Sequence, residues 1–110
     1  MIFNKLVRDK IPELIAKQGK KVTFRALQGD ELKKALKDKL LEEVQELVNA
    51  ETFEQIVEEM ADVHEVLNAM QVALMDAIIP SPTIERILNE KRDTRGGFRN
   101  GYFLESVEGE

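Results

Sequence analysis

The sequence predicts a mainly α protein: an antiparallel helical bundle of about four helices with at most a small two-stranded β ribbon. Apolar residues recur at helical spacing over two long stretches, and capping residues, Gly or Pro stand at the ends of those stretches. Charged residues make up 34% of the chain, more than the typical quarter, which suits long solvated helices. The 110 residues suffice for one domain, so a single domain over residues 1–110 is expected.

A short first helix is predicted from Asp9 to Lys17, because Asp9 can cap it, Pro12 fits its first turn and Gly19 stops it. The following segment Lys21–Leu27 (KVTFRAL) is β-prone. The late segment GYFLESV is β-prone too, so these two segments are the candidates for the ribbon.

Two long helices follow. The first runs from Glu31 to Val48 after a cap at Asp30. The second runs to Met75 and opens with a capping box formed by Thr52 and Gln55. Because the connection between these helices is very short, they are expected to be antiparallel neighbours.

The last predicted helix follows the turn IIPSP, begins at Ser81 or Thr83 and ends near Arg92. The segment TRGGFRNG after it is expected to be a flexible basic loop.

Composition excludes several kinds of function. The net charge of -5 argues against binding nucleic acid through a broad basic surface. The chain has no Cys, so a thiolate zinc site is excluded. Neither a signal peptide nor an apolar run long enough to span a membrane is visible, so the default location is the cytoplasm.

Carboxylates on the first long helix lie where a core is expected. On a wheel of about 100° per residue with Leu36 at zero, Glu43 lies at about -20°, in the middle of the leucine stripe. Glu46 lies on its flank at about -80°, and Glu42 lies further out at about -120°. An unpaired carboxylate in a buried stripe costs several kcal/mol or takes up a proton.

The second long helix repeats this arrangement. With Ile56 at zero, the apolar stripe includes Met60, Val63 and Leu67, and Glu59 lies at about -60° and Asp62 at about -120°. Glu58 and Glu65 point the opposite way, near 180°, and are expected to be surface acids.

Four carboxylates can therefore converge across the hairpin: Glu43, Glu46, Glu59 and Asp62. Like charges in one place repel each other unless a cation neutralises them. Oxygen ligands without Cys favour a hard ion, Mg2+ or alternatively Mn2+, and such sites usually act on phosphates. The alternative is structural pairing of these acids with Lys or Arg from another helix.

The acidic pattern resembles the motif of the all-α nucleoside triphosphate pyrophosphohydrolases, the MazG-like group. That motif is EExxE, a spacer and ExxD; here it reads Glu42-Glu43-Val44-Gln45-Glu46, twelve further residues, and Glu59-Met60-Ala61-Asp62. The opening KLVRDKIPEL and the tail KRDTRGGF are similar to a small single-domain branch of this superfamily.

The resemblance implies a function and an assembly. It implies that Glu43, Glu46, Glu59 and Asp62 bind the metal and that the substrate is a nucleoside triphosphate, cleaved at the α-phosphorus into the monophosphate and pyrophosphate. It also implies a dimer or a dimer of dimers, with which the apolar flank of Val66, Ala69 and Ala73 is consistent. Related branches are phosphoribosyl-ATP pyrophosphohydrolase and dimeric dUTPases, and no residue singles out either.

For catalysis, Glu46 or Glu42 is the candidate general base. The candidate phosphate ligands are basic residues from the tail and the N-terminal segment: Lys91, Arg92, Arg95, Arg8 and Lys10. For the tail cations, a favourable contact with the helix dipole is the alternative.

Two other functions remain open. One is a non-enzymatic helical dimer that binds a protein partner through its acidic surface, although such a surface does not need buried carboxylates. The other keeps the chemistry but takes phosphoribosyl-ATP as the substrate. Magnesium-dependent thermal stabilisation and a panel of nucleotides discriminate between them.

Overall fold

The computed structural model describes residues 3–75 and 83–109, and the mainly α prediction is confirmed in this part of the chain. Its helices are α1 (Ile11–Lys17), α2 (Gly29–Asn49), α3 (Phe53–Met75) and α4 (Thr83–Arg95). Within residues 3–75 and 83–109 there is no β-strand, so the two β-prone segments do not form a ribbon. The predicted turn IIPSP lies outside the described residues.

The helix ends follow the predicted chemistry in part. The capping box of α3 is confirmed. The backbone N–H of Gln55 donates to Thr52 Oγ1 at 3.1 Å, and the backbone N–H of Thr52 donates to Gln55 Oε1 at 3.4 Å. The prediction that the side chains of Asp9 and Asp30 cap α1 and α2 is wrong. Lys10 and Gln28 occupy the N-cap positions of α1 and α2, and neither side chain makes a cap hydrogen bond.

Asp30 instead lies in the first turn of α2, where its charge is favourable at the positive end of the helix dipole. At the far end of the chain, α4 extends three residues beyond the predicted Arg92. It ends before Gly96, whose φ of 83° belongs to the left-handed region that glycine adopts without strain.

The chain divides into two compact units, Met1–Ile78 and Ile79–Glu110. In the first unit, α2 and α3 pack against each other across a connection of a few residues, so they form an antiparallel hairpin. In the second unit, α4 is followed by an irregular segment whose aromatic residues are exposed. The single domain over residues 1–110 stays a prediction. No helix among the described residues is long and apolar enough to cross a membrane.

The face that α3 buries differs from the predicted stripe. Val66 is buried at 8% exposure, whereas Met60 and Leu67 of the stripe are each 47% exposed. Apolar residues occupy more than half of the circumference of α3, so the wheel identified a wide apolar surface without deciding which part meets α2. The observed face is rotated toward the side that carries Glu59, which is half-buried.

Candidate metal centre

Glu43 is a buried acid on the inner face of α2. It lies two turns after Leu36, which is 3% exposed, and Glu43 itself is only 7% exposed. This confirms the prediction that Glu43 lies within the leucine stripe. Burial raises the pKa of the Glu43 carboxyl, the hydrogen bond from Lys39 lowers it, and the charge of Glu46 raises it again, with a net upward shift.

Glu43, Glu46 and Glu59 form a compact group at the hairpin, with one carboxylate oxygen from each lying within 4.8 Å of the others. The buried Oε2 atoms of Glu43 and Glu59 have no hydrogen-bond partner among the described residues. Buried acceptors normally have a partner, so these two oxygens are available to a hydrogen-bond donor or a cation. Glu46 is exposed and therefore reaches solvent.

The group fits a hard divalent cation, because it consists of carboxylate oxygens and contains no softer donor. Two oxygens on opposite sides of one Mg2+ lie about 4.2 Å apart, so small side-chain movements bring the observed spacing into range. A cleft of about 300 Å³ opens beside the group and is lined by Glu46, Asn49, Ala50, Gln55 and Glu59.

Asp62, the fourth predicted ligand, lies outside this group of three. Arg8 of the N-terminal segment donates to Asp62 Oδ1 at 2.7 Å, and both side chains are partly exposed. Arg8, predicted to bind phosphate, contacts a carboxylate of the motif, and its binding of phosphate stays a prediction. This contact is the structural pairing that the sequence left open as an alternative, although Arg8 comes from the N-terminal segment and not from another helix.

Glu42, one of the two candidate bases, is surrounded by cations. Lys39 Nζ lies 3.2 Å from Glu42 Oε2, and Lys5 Nζ lies 3.8 Å from Glu42 Oε1. Glu46, the other candidate, lines the open cleft. The geometry therefore makes Glu46 the more accessible of the two carboxylates.

The other predicted phosphate ligands are exposed. Lys10 stands at the N-cap of α1 in the first unit. The tail cations belong to the last turns of α4 in the second unit: Lys91, Arg92 and Arg95. Glu58 and Glu65 are exposed on α3, as the wheel predicted.

Lys39 was missed by the sequence reasoning. Its Nζ lies 3.2 Å from Glu43 Oε1 as well as from Glu42, and its side chain is only 18% exposed. Burial lowers the pKa of Lys39, but hydrogen bonds and charge from Glu43 and Glu42 outweigh burial, so the net shift is upward. A Lys three and four residues before two Glu residues on a helix is the pattern that predicts this contact.

Comparisons with known proteins assign no family. No family model matches the chain, and no solved structure matches it. An uncharacterized protein of Mycolicibacterium smegmatis is 49% identical over 53 residues, which are 48% of this chain and 54% of that protein. The chain thus spans about half the length of this relative, and the MazG-like resemblance stays a prediction.

Proposed function

We propose that this chain is a Mg2+-dependent nucleoside triphosphate pyrophosphohydrolase of the MazG-like group, acting on free nucleotides, abnormal ones among them, in the cytoplasm. The observation that carries the proposal is the group of Glu43, Glu46 and Glu59, with carboxylate oxygens within 4.8 Å of one another. Two of its buried oxygens lack partners among the described residues, which is costly unless a cation binds there.

Glu43, Glu46 and Glu59 would hold the ion, with Asp62 joining them if Arg8 releases it. When bound, Mg2+ would supply positive charge that polarises the phosphates and acidifies a water molecule. Hydrolysis forms a bond between the water oxygen and the α-phosphorus and breaks the bond to the pyrophosphate oxygen. The Glu46 carboxylate accepts the proton of the attacking water, because it is the accessible acid in the cleft.

Cations of this chain would bind the pyrophosphate that leaves. Lys5 and Arg8 lie beside the acids of the motif, on Glu42 and Asp62, and can turn from those carboxylates to phosphate oxygens. Lys10 and the α4 cations Lys91, Arg92 and Arg95 remain further candidates for this role.

Association of two copies forms part of the proposal. Large apolar side chains of the hairpin are exposed, including Leu41 at 70%, Val48 at 71% and Phe53 at 76%. Such surfaces usually mark an interface. Light scattering tests this, because the double variant Leu41→Ser with Val48→Ser should have a lower mass in solution than the wild type. A wild type that already has the mass of a monomer, unchanged in the double variant, would exclude the dimer.

The activity is tested by a pyrophosphate-release screen over ordinary and modified nucleoside triphosphates and phosphoribosyl-ATP, with and without Mg2+. We expect Mg2+-dependent release from at least one triphosphate. Turnover of phosphoribosyl-ATP alone would indicate the related branch of histidine synthesis. No release from any substrate by a folded protein that binds Mg2+ would overturn the enzymatic proposal.

A further inference from the structure

Lys39 is placed to act on the metal centre without being one of its ligands. Its ammonium group lies 3.2 Å from Glu43 Oε1 and 3.2 Å from Glu42 Oε2. With Oε1 of Glu43 engaged by Lys39, Oε2 is the oxygen that remains without a partner among the described residues. Lys39 thus fixes one end of the buried carboxylate and leaves the other end available.

This contact differs from the other ion pairs of α2. Lys34 and Asp38 form a pair at 3.1 Å, but their side chains are 80% and 63% exposed. The side chains of Lys39 and Glu43 are only 18% and 10% exposed. Water screens an exposed pair strongly and a buried pair weakly, so the charge of Lys39 acts on the carboxylate group far more than that of Lys34.

We propose that Lys39 is a positioning residue that anchors Glu43 and sets the cation affinity of the carboxylate group by offsetting one of its charges. Without metal, the Lys39 ammonium group reduces the repulsion among the acids and so stabilises their arrangement. When a divalent cation binds, the same ammonium group repels it, which keeps the affinity for metal moderate. This inference rests on the metal site of the proposed function and not on the hydrolysis of a nucleotide.

Manganese binding tests the inference, followed by electron paramagnetic resonance of free Mn2+ with the full chain. K39M should bind Mn2+ roughly tenfold more tightly than the wild type, because one nearby positive charge is gone. K39R keeps that charge and should stay within about threefold of the wild type. K34M removes the same charge from an exposed pair of the same helix and is the matched control, with unchanged affinity.

Thermal unfolding without metal supplies a second, independent measurement. K39M should lower Tm by about 4–8 °C when Glu43 is present, because the buried acid loses its counter-charge. The same change made in E43Q should lower Tm much less, since the charge that Lys39 offsets is already gone. This cycle remains informative even if K39M alone is too unstable for the binding experiment.

Three outcomes would overturn the inference: equal or weaker Mn2+ binding by K39M, an effect of K34M as large as that of K39M, or equal Tm losses with and without Glu43. The proposed function fails separately. A protein that shows the K39M effect but hydrolyses no triphosphate keeps this inference, whereas an active enzyme whose K39M variant binds Mn2+ normally loses it.

Discussion

Replacing Glu43 with Gln is the most informative single perturbation of the proposed metal centre. The substitution keeps the shape of a side chain that is 7% exposed but removes its charge and one oxygen ligand. Removing one partner from the surroundings of a metal ligand already costs about 10–100-fold in affinity or activity. Loss of a ligand itself should therefore weaken Mg2+ binding at least that much and abolish measurable turnover.

The stability of E43Q without metal should move in the opposite direction. Glu43 carries a buried, charged oxygen without a partner among the described residues, and such a group costs about 1–3 kcal/mol. The neutral Gln amide lowers this cost, because repulsion with Glu46 and Glu59 is relieved and its nitrogen can donate to their carboxylates. The substitution also gives up the charged hydrogen bond from Lys39, in which both side chains are largely buried, and this loss costs about 1 kcal/mol. The difference predicts a variant that is equally stable or up to about 2 kcal/mol more stable, which raises Tm by up to roughly 10 °C.

The pH dependence of this difference has a definite sign. Burial raises the pKa of Glu43 above its ordinary value of 4.5, so the folded chain binds this proton more tightly than the unfolded chain. The favourable contribution of Glu43 is therefore fully present below pH 4.5 and is lost as the pH rises through the folded pKa. Without metal, the advantage of E43Q over the wild type should grow across that rise.

Calorimetry with Mg2+ or Mn2+, pyrophosphate release and thermal unfolding from pH 4 to pH 8 measure these effects on the same preparations. E58Q is the matched control, since it removes a carboxylate that is exposed on α3. Wild-type metal affinity and turnover in E43Q would refute the assignment of Glu43 as a ligand. A large loss of stability without metal would show instead that Glu43 serves the fold.

Three further predictions address the surroundings of the site. E58Q and E65Q should keep turnover within a few-fold of the wild type, because both acids are exposed, and a loss as deep as that of a ligand variant would contradict the observed phase of α3. R95A should lower kcat/KM by about tenfold to hundredfold without changing Mg2+ affinity or Tm, because a charge-assisted contact with phosphate is lost. An unchanged kcat/KM would show that Arg95 does not bind the substrate. R8A frees Asp62 from its 2.7 Å contact and should strengthen Mn2+ binding, and calorimetry that finds weaker binding would show that Arg8 supports the site.

The sequence predicted the buried acid of α2 because its evidence was local. The leucine stripe around Leu36 is narrow, so a wheel locates Glu43 within it without knowing the partner helix. The capping box of α3 was equally local, since Thr52 and Gln55 contact only their own helix end. Features that depend on residues within one or two turns were therefore predictable.

Features set by tertiary contacts were not. Apolar residues cover too much of α3 for a wheel to tell whether Val66 or Met60 is buried, and Val66 is the buried one of the two. The contact of Arg8 with Asp62 joins residues 54 positions apart, so no periodicity in the sequence predicts it. The Lys39 contact, in contrast, is local and follows from its spacing of three and four residues to Glu42 and Glu43.

The buried position of Glu43 lowers the stability of the fold but suits a carboxylate that binds a cation. An apolar side chain in its place would extend the packing around Leu36 and remove the buried Glu43 oxygen that lacks a partner among the described residues, so the acid is not explained by the fold. A sequence usually breaks a local rule of this kind where a site requires it. Glu46 and Glu59 complete the group from the exposed and half-buried sides, which gives a cation one buried anchor and an approach from the cleft. If the proposed cation site is present, the cost of Glu43 to the fold is the expected consequence of placing that site between two helices rather than on their surface.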